Sequence, residues 1–238
     1  MRKDGRSTLS ETWLQGKELD ADLPVGFTLT ELGPLPGEWE VVRLGEVVQH
    51  TRETVDPMDH PDEHFDYYSI PAYQNGQRPV LERGREIRST KIVVQPGSVL
   101  FGKLNPRVPK VWRVESPSGR RKIASTEFIP LVPSPARLDS CFLYFLSWSS
   151  FVLGRAQELI AGSTPSRQRV DAGAFLQLPV PLPPLPEQRA IAHVLRTVQR
   201  AKERRSGLAR RSRSSGRSSC ATSLPTAPCP WTRPTRCR

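Results

Sequence analysis

His60-Pro-Asp-Glu-His64 is the densest group of side chains able to do chemistry, with His50, Asp59 and Asp66 close by in the chain. Two imidazoles and several carboxylates suit a divalent ion. A metal-dependent nuclease using His60, Asp62, Glu63 and His64 is one reading of them. Pro61 opposes the i,i+4 helical geometry that would aim both imidazoles at one ion, unless it lies in the first turn. A solvated acidic loop is the other reading, and the expectation is that no metal is held there. Other chemistry is missing. No Asp or Glu precedes a Lys by two positions, so the usual nuclease pair is absent. Gly-x-Gly-x-x-Gly, Walker, Gly-x-Ser-x-Gly and Asn/Asp-Pro-Pro-aromatic motifs are absent as well. No catalytic residue and no cofactor are expected of this chain.

Binding chemistry is better represented. Residues 78–122 carry 12 basic and 3 acidic side chains. Arg78, Lys103, Lys110, Arg120, Arg121 and Lys122 suit phosphate contacts, which supply affinity and register on a duplex. Base edges need bidentate groups, Arg for guanine and Asn or Gln for adenine. Asn75, Asn105, Arg107 and Arg113 are of those types, as are Arg167, Gln168 and Arg169 in a polar loop. For any one of them the alternative is a phosphate contact or a solvated charge. The net charge of +11 is unevenly spread: −9 over residues 1–70, +11 over 71–203 and +9 over 204–238. An acidic first third and a basic remainder give the domain the electrostatic asymmetry of a duplex binder.

The elements that must position these groups read as short strands followed by helices. Strands are predicted over Trp39–Val48, Tyr67–Tyr73, Lys91–Gln95, Ser98–Leu104, Val108–Val114, Ile123–Val132 and Leu176–Val180, with turns at 74–76 and at Pro96-Gly97. His50–Asp66 reads as a loop. Ser140–Ala161 reads as one helix capped by Asp139 and ended by Gly162. Thr8–Leu19 reads as a short helix in a polar leader. The class is α+β. Cys141 reads as a buried thiol, and Cys220, Cys229 and Cys237 match no zinc spacing. With no secretory leader and no run long enough for a membrane span, a reduced, cytoplasmic protein is expected.

Pro181-Leu-Pro-Pro-Leu-Pro-Glu-Gln-Arg-Ala-Ile-Ala-His-Val-Leu195 marks where the strands end. Pro186 suits a first helical turn, and Glu187 and Gln188 sit where the helix dipole favours acids and acceptors. Ile191, Val194, Leu195 and Val198 follow at helical spacing and form one apolar seam. A Pro-capped surface helix or a polyproline ligand would use the same residues.

This junction resembles the one closing a target recognition domain in the specificity (S) subunits of type I restriction-modification systems. Glu31-Leu-Gly-Pro-Leu-Pro-Gly-Glu-Trp-Glu-Val-Val-Arg-Leu-Gly-Glu-Val47 resembles the start of such a domain. Val99-Leu-Phe-Gly-Lys-Leu-Asn-Pro-Arg107 and Ser125-Thr-Glu-Phe-Ile129 resemble its central strands. Gly162-Ser-Thr-Pro-Ser-Arg-Gln-Arg-Val170 resembles its polar loop. The order agrees over roughly residues 31–203. The resemblance implies a curled, mixed β-sheet domain over 31–184 after a leader at 1–30, with a spacer helix over 185–205. It also implies a non-catalytic role in reading a half-site of double-stranded DNA. Pro186, Glu187, Gln188, Ile191, Val194, Leu195 and Val198 would meet a modification (M) subunit, which methylates adenine with S-adenosylmethionine. A restriction (R) subunit would join through the complex, and two half-subunits could pair with each other. No membrane partner is implied.

Past residue 203 the composition changes. Residues 204–238 contain no Asp, Glu, Lys, Ile, Val, Phe or Tyr. The helix is expected to stop near Arg204 or Arg205, and 206–238 to be a disordered Arg/Ser/Pro-rich tail. Translation of a GC-rich gene in a shifted frame would yield this mixture, and the chain then reads as a truncated half-subunit. An Arg-rich nucleic-acid arm and a non-functional remnant are the competing readings.

Overall fold

A computed structural model describes residues 23–105, 108–115, 118–161 and 168–215. The first hairpin is β1 (Phe27–Thr30) with β2 (Gly33–Pro36), which crosses the boundary expected at residue 30. Next come β3 (Glu40–Arg43), a one-turn α1 (Leu44–Val47) and β4 (Val48–His50). The single strand expected over Trp39–Val48 is therefore split. Leu44 and Val47 are both buried, and their three-residue spacing places them on one side of a helical turn.

The expected loop 50–66 contains β5 (Thr54–Val55), a 3-10 turn at Pro57–Asp59 and the start of β6 (His64–Tyr68). Gly84 explains how that segment lies so close to its neighbours. A Cβ there would stand 2.1 Å from the His60 carbonyl oxygen, which only glycine avoids. After Tyr68 the expected strand becomes a helix, α2 (Ile70–Gln74). The Ser69 hydroxyl accepts the Ala72 N–H and a proline occupies the first turn, so cap chemistry outweighs the apolar β-like run.

Strands β7 (Val80–Arg83), β8 (Lys91–Val93), β9 (Val99–Gly102), β10 (Val111–Arg113), β11 (Lys122–Ala124) and β12 (Phe128–Pro133) follow. Gly97, at φ +86, makes the expected turn before β9. Two larger sheets result, ordered β10-β9-β12-β4 and β5-β8-β11-β6-β7. The pairing of β11 with β6 is parallel and every other strand pairing described is antiparallel. The expected mixed, curled sheet is thus divided among several sheets.

Alternation along the strands explains how the sheets stack. In β9, Val99 and Phe101 join one core cluster while Leu100 joins a second. Val111 and Trp112 divide in the same way, as do Ile129 and Phe128. The four-stranded sheet is therefore buried on both faces, which its continuous apolar runs require. Its second face shares a cluster with Tyr68, Ile92 and Ala124 of the five-stranded sheet, and the Tyr68 and Trp112 rings meet at 4.6 Å. The far face of the five-stranded sheet buries Phe65, Ile87 and Ile123.

The first face is covered by α3 (Ser140–Trp148) and α4 (Ser150–Glu158). Asp139 caps α3 as expected, accepting from the N–H groups of Cys141 and Phe142. The expected single helix breaks at Ser149, whose backbone turns extended and whose hydroxyl donates to the Leu146 carbonyl. Cys141 is half-buried against this core, not fully buried. Short strands β13 (Ile160–Ala161) and β14 (Arg169–Val170) pair with each other, and α5 (Ala172–Leu176) precedes β15 (Pro179–Leu182). Among the described residues β15 pairs with β3 alone. Pro179 and Pro181 sit two apart, so their missing N–H groups fall on the same side of the strand, a pattern an edge tolerates.

α6 runs from Leu185 to Ser215, ten residues past the expected stop. Arg, Ala and Leu around Ser206-Gly207 are good helix formers, and one internal glycine costs only about 1 kcal/mol. The expected helix over Thr8–Leu19, the Gly162 cap and residues 216–238 lie outside the described residues. Compact packing divides the chain into residues 1–194 and 195–238. Among the described residues no helix is long and apolar enough to cross a membrane.

Candidate nucleic-acid interface

The loops after β9 and before β14 meet although 63 positions separate Asn105 from Gln168. The Asn105 N–H donates to the Gln168 carbonyl at 3.2 Å, and the Val170 N–H donates to the Lys103 carbonyl at 3.1 Å. Leu104 and Arg169 form an antiparallel bridge between these bonds. Asn105 takes a left-handed backbone, φ +51, a conformation asparagine tolerates better than most residues. Lys103, Asn105, Gln168 and Arg169 are thereby drawn to one place. Burial pushes the Lys103 ammonium below its ordinary pKa, with the Glu127 charge opposing that shift and Arg169 adding to it. Arg107 and Arg167, in the same two loops, lie outside the described residues.

A second group gathers at the loop between β10 and β11. Arg113 bonds Glu115 at 2.9 Å, Arg120 bonds Asp66 at 2.9 Å, and Arg121 lies 3.7 Å from Glu63. Asp66 is buried. Burial by itself would raise its carboxyl, but hydrogen bonds from Ser118 and Arg120 and the charges of Arg120 and Lys122 outweigh it and hold the group below its ordinary value. Asn75 and Arg78 form a third, exposed group, just after α2 and around the left-handed residues Gly76 and Gln77.

Two lysines depart from the expectation of phosphate contact. Lys110 is only 7% exposed and Lys122 only 5%. The Lys110 ammonium donates to the carbonyls of Leu104 and Val108, closing the loop that carries Asn105. The Lys122 ammonium donates to the carbonyls of Ser118 and Arg120 and lies 3.7 Å from Asp66. Each ammonium is enclosed with its own chain's acceptors, so burying it depends on those carbonyls, and both lysines brace the basic loops.

The helix junction is likewise engaged within the domain. Gln188 is fully buried, at 0% exposure. Its Nε2 donates to the carbonyls of Arg137 and Pro183, and its Oε1 accepts the Asp139 N–H. Glu187 accepts from Trp39 Nε1 at 3.0 Å. Ile191 packs against the domain core, and Pro186 is exposed. Glu187, Gln188 and Ile191 thus fasten the start of α6 to the domain. Val194, Leu195 and Val198 are the seam residues left exposed, Val194 at 59% and Val198 at 61%.

The His60–His64 segment takes other partners. His60 lies 3.8 Å from Glu63, Asp62 pairs with Arg85, and His64 accepts from Arg83 Nε. Among the described residues no three His, Cys, Asp or Glu side chains converge as metal ligands would. Trp39, Ser118 and Glu127 were not among the residues the sequence singled out for the site, and Asp66 was read only beside the His60–His64 group. Glu127 carried one signal, as the single acidic residue between Glu115 and Asp139.

Residues 36–207 match the family model described as the type I restriction modification DNA specificity domain. The specificity subunit of the type I restriction enzyme EcoDI of Escherichia coli is 25% identical over 178 residues, covering 69% of this chain and 36% of that protein. The MjaVIII specificity subunit of Methanocaldococcus jannaschii is 22% identical over 163 residues, covering 68% and 36%. The chain thus spans little more than a third of the length of these relatives. Among solved structures, the HsdS subunit from Thermoanaerobacter tengcongensis superposes with a TM-score of 0.62 at 27% identity, over 80% of this chain and 52% of that one.

Proposed function

This chain belongs to the type I restriction-modification DNA specificity family, and we propose that it is a sequence-reading component that performs no bond chemistry itself. Its domain reads a short half-site of duplex DNA. The first turns of α6 are fastened to the domain, and the exposed seam beyond them meets the M subunit. Methylation and cleavage belong to M and R subunits assembled around it, in the cytoplasm where chromosomal DNA lies. Residues 31–184 serve as the recognition domain and the helix from 185 as the spacer.

One observation carries this reading. The Asn105–Gln168 hydrogen bond joins two polar loops that share residue types suited to base edges and phosphates, on a framework of buried strands. Rigid presentation of Asn, Gln and Arg is what direct readout needs, and the basic balance around them supplies salt-sensitive attraction.

The test is selection of bound sites from a randomised duplex library by the full chain, with and without an M subunit. Enrichment of one short motif is expected, with affinity falling steeply with salt. Binding without sequence preference would refute the reading.

A further inference from the structure

Glu127 and Arg169 form a two-point fork across the loop junction. Arg169 Nε donates to Glu127 Oε2 at 3.2 Å, and Nη2 donates to Oε1 at 2.9 Å. Neither backbone is free to drift. Arg169 pairs with Ala161 of β13 on one side and bridges Leu104 on the other. The next residue inward, Lys103, donates its N–H to the Glu127 carbonyl at 2.8 Å. Backbone pairing on both sides therefore fixes the base of Arg169, and Glu127 holds its half-exposed guanidinium by two hydrogen bonds.

The chemistry of the guanidinium shows what remains for a ligand. It carries five N–H groups in a plane. Glu127 takes the side edge made by Nε and Nη2. The end edge, with one N–H from Nη1 and one from Nη2, is not used by Glu127 and meets no other acceptor among the described residues. Two parallel donors at that spacing match the O6 and N7 acceptors that guanine presents in the major groove. An exposed ion pair stabilises a fold very little. Backbone hydrogen bonds already join these loops, so the fork adds aim more than strength.

Resting on the DNA-reading function above, we infer that Arg169 reads one guanine of the target duplex and that Glu127 is its positioning residue. The carboxylate selects one rotamer and one face of the arginine before DNA arrives, which lowers the ordering cost of binding. Lys103, beside the same carboxylate, keeps the junction net positive when Glu127 is engaged. Sequence preference at that base pair therefore depends on an acidic residue that never touches DNA.

The experiment is site selection from a randomised duplex library by the full chain at one fixed salt concentration. Wild type, Arg169→Ala, Arg169→Lys and Glu127→Gln are compared, each with a melting curve. The wild type is expected to enrich a motif containing at least one fixed G·C pair. Arg169→Ala and Arg169→Lys are each expected to lose discrimination at that pair by roughly ten- to a hundredfold and to keep the other positions. Lysine keeps the charge and lacks the fork, so it separates readout from attraction. Glu127→Gln is expected to weaken discrimination at the same pair while overall affinity for unrelated DNA holds or rises. An unchanged motif in Arg169→Ala or Arg169→Lys, or an equal loss at every position, overturns the role of Arg169. A flattened position in Arg169→Ala with full discrimination in Glu127→Gln overturns the positioning role. A wild type with no preference anywhere overturns the parent function, an outcome distinct from both.

Discussion

The Gln188 side-chain oxygen accepts the Asp139 backbone N–H at 2.9 Å, and Asp139 in turn caps α3, so the first turn of α6 is tied to the start of a core helix 49 positions earlier. The Gln188 amide nitrogen adds donations to Arg137 and Pro183. The Glu-Gln pair of the helix junction is therefore an attachment device.

Gln188→Leu is expected to destabilise the domain strongly. It removes the partner of the buried Pro183 carbonyl, at about 1–3 kcal/mol for a buried unsatisfied group, and those of the part-buried Asp139 N–H and Arg137 carbonyl, which cost less. Gln188→Glu keeps the shape, loses both donations and buries a charge, so it is expected to be no better. Urea unfolding followed by tryptophan fluorescence measures this. A midpoint equal to wild type in both variants would show that the buried amide contributes nothing.

Asp66 gives the acid limb of stability a definite sign. Its folded pKa lies below the ordinary 3.8. The stabilisation it provides is complete above the unfolded value and disappears as pH falls through the lower folded value. The urea midpoint is expected to hold down to about pH 4 and then fall. Asp66→Asn is expected to be less stable at neutral pH, because Lys122 loses its charged partner, and to show a shallower acid limb. An acid limb identical to wild type would rule Asp66 out as its source.

Salt titration separates presented charge from enclosed charge. Each phosphate neutralised contributes about −0.9 to the slope of log K against log salt. Arg78→Ala is expected to reduce that slope in magnitude if the exposed Arg78 meets the backbone. Lys110→Met is expected to leave the slope alone while lowering thermal stability, since its ammonium serves the Leu104 and Val108 carbonyls. A Lys110→Met slope reduced by a full phosphate would place that ammonium on DNA.

The seam of α6 is expected to respond unequally along its length. Val194→Asp with Val198→Asp alters two exposed positions and is expected to abolish co-purification of an M subunit without moving the melting temperature. Ile191→Asp places a carboxylate against the domain core and is expected to lower the melting temperature before any partner is involved. Full co-purification of the Val194/Val198 double variant would put the partner surface elsewhere.

Local chemistry was enough to read much of this protein from its sequence. The turn at Pro96-Gly97, the Asp139 cap, the Pro-rich start of α6 and the α+β class follow from backbone preferences of single residues. The family resemblance rested on segments whose order is itself linear information. Short apolar runs misled where a cap or a three-residue apolar spacing competed with alternation, as at Ser69–Gln74 and Leu44–Val47. Which polar groups face outward was not local at all. Lys110 and Lys122 look like their exposed neighbours in sequence, yet their ammonium groups close on carbonyls. Gln188 looks like a surface helix residue and is fully buried. Asn105 meets Gln168, and Glu127 meets Arg169, only because β9, β12 and β14 are brought side by side. Residue type and spacing determine what a side chain is able to do. Long-range strand pairing decides which neighbours it has, because the partner that neutralises, buries or aims a charge is supplied by a distant part of the chain.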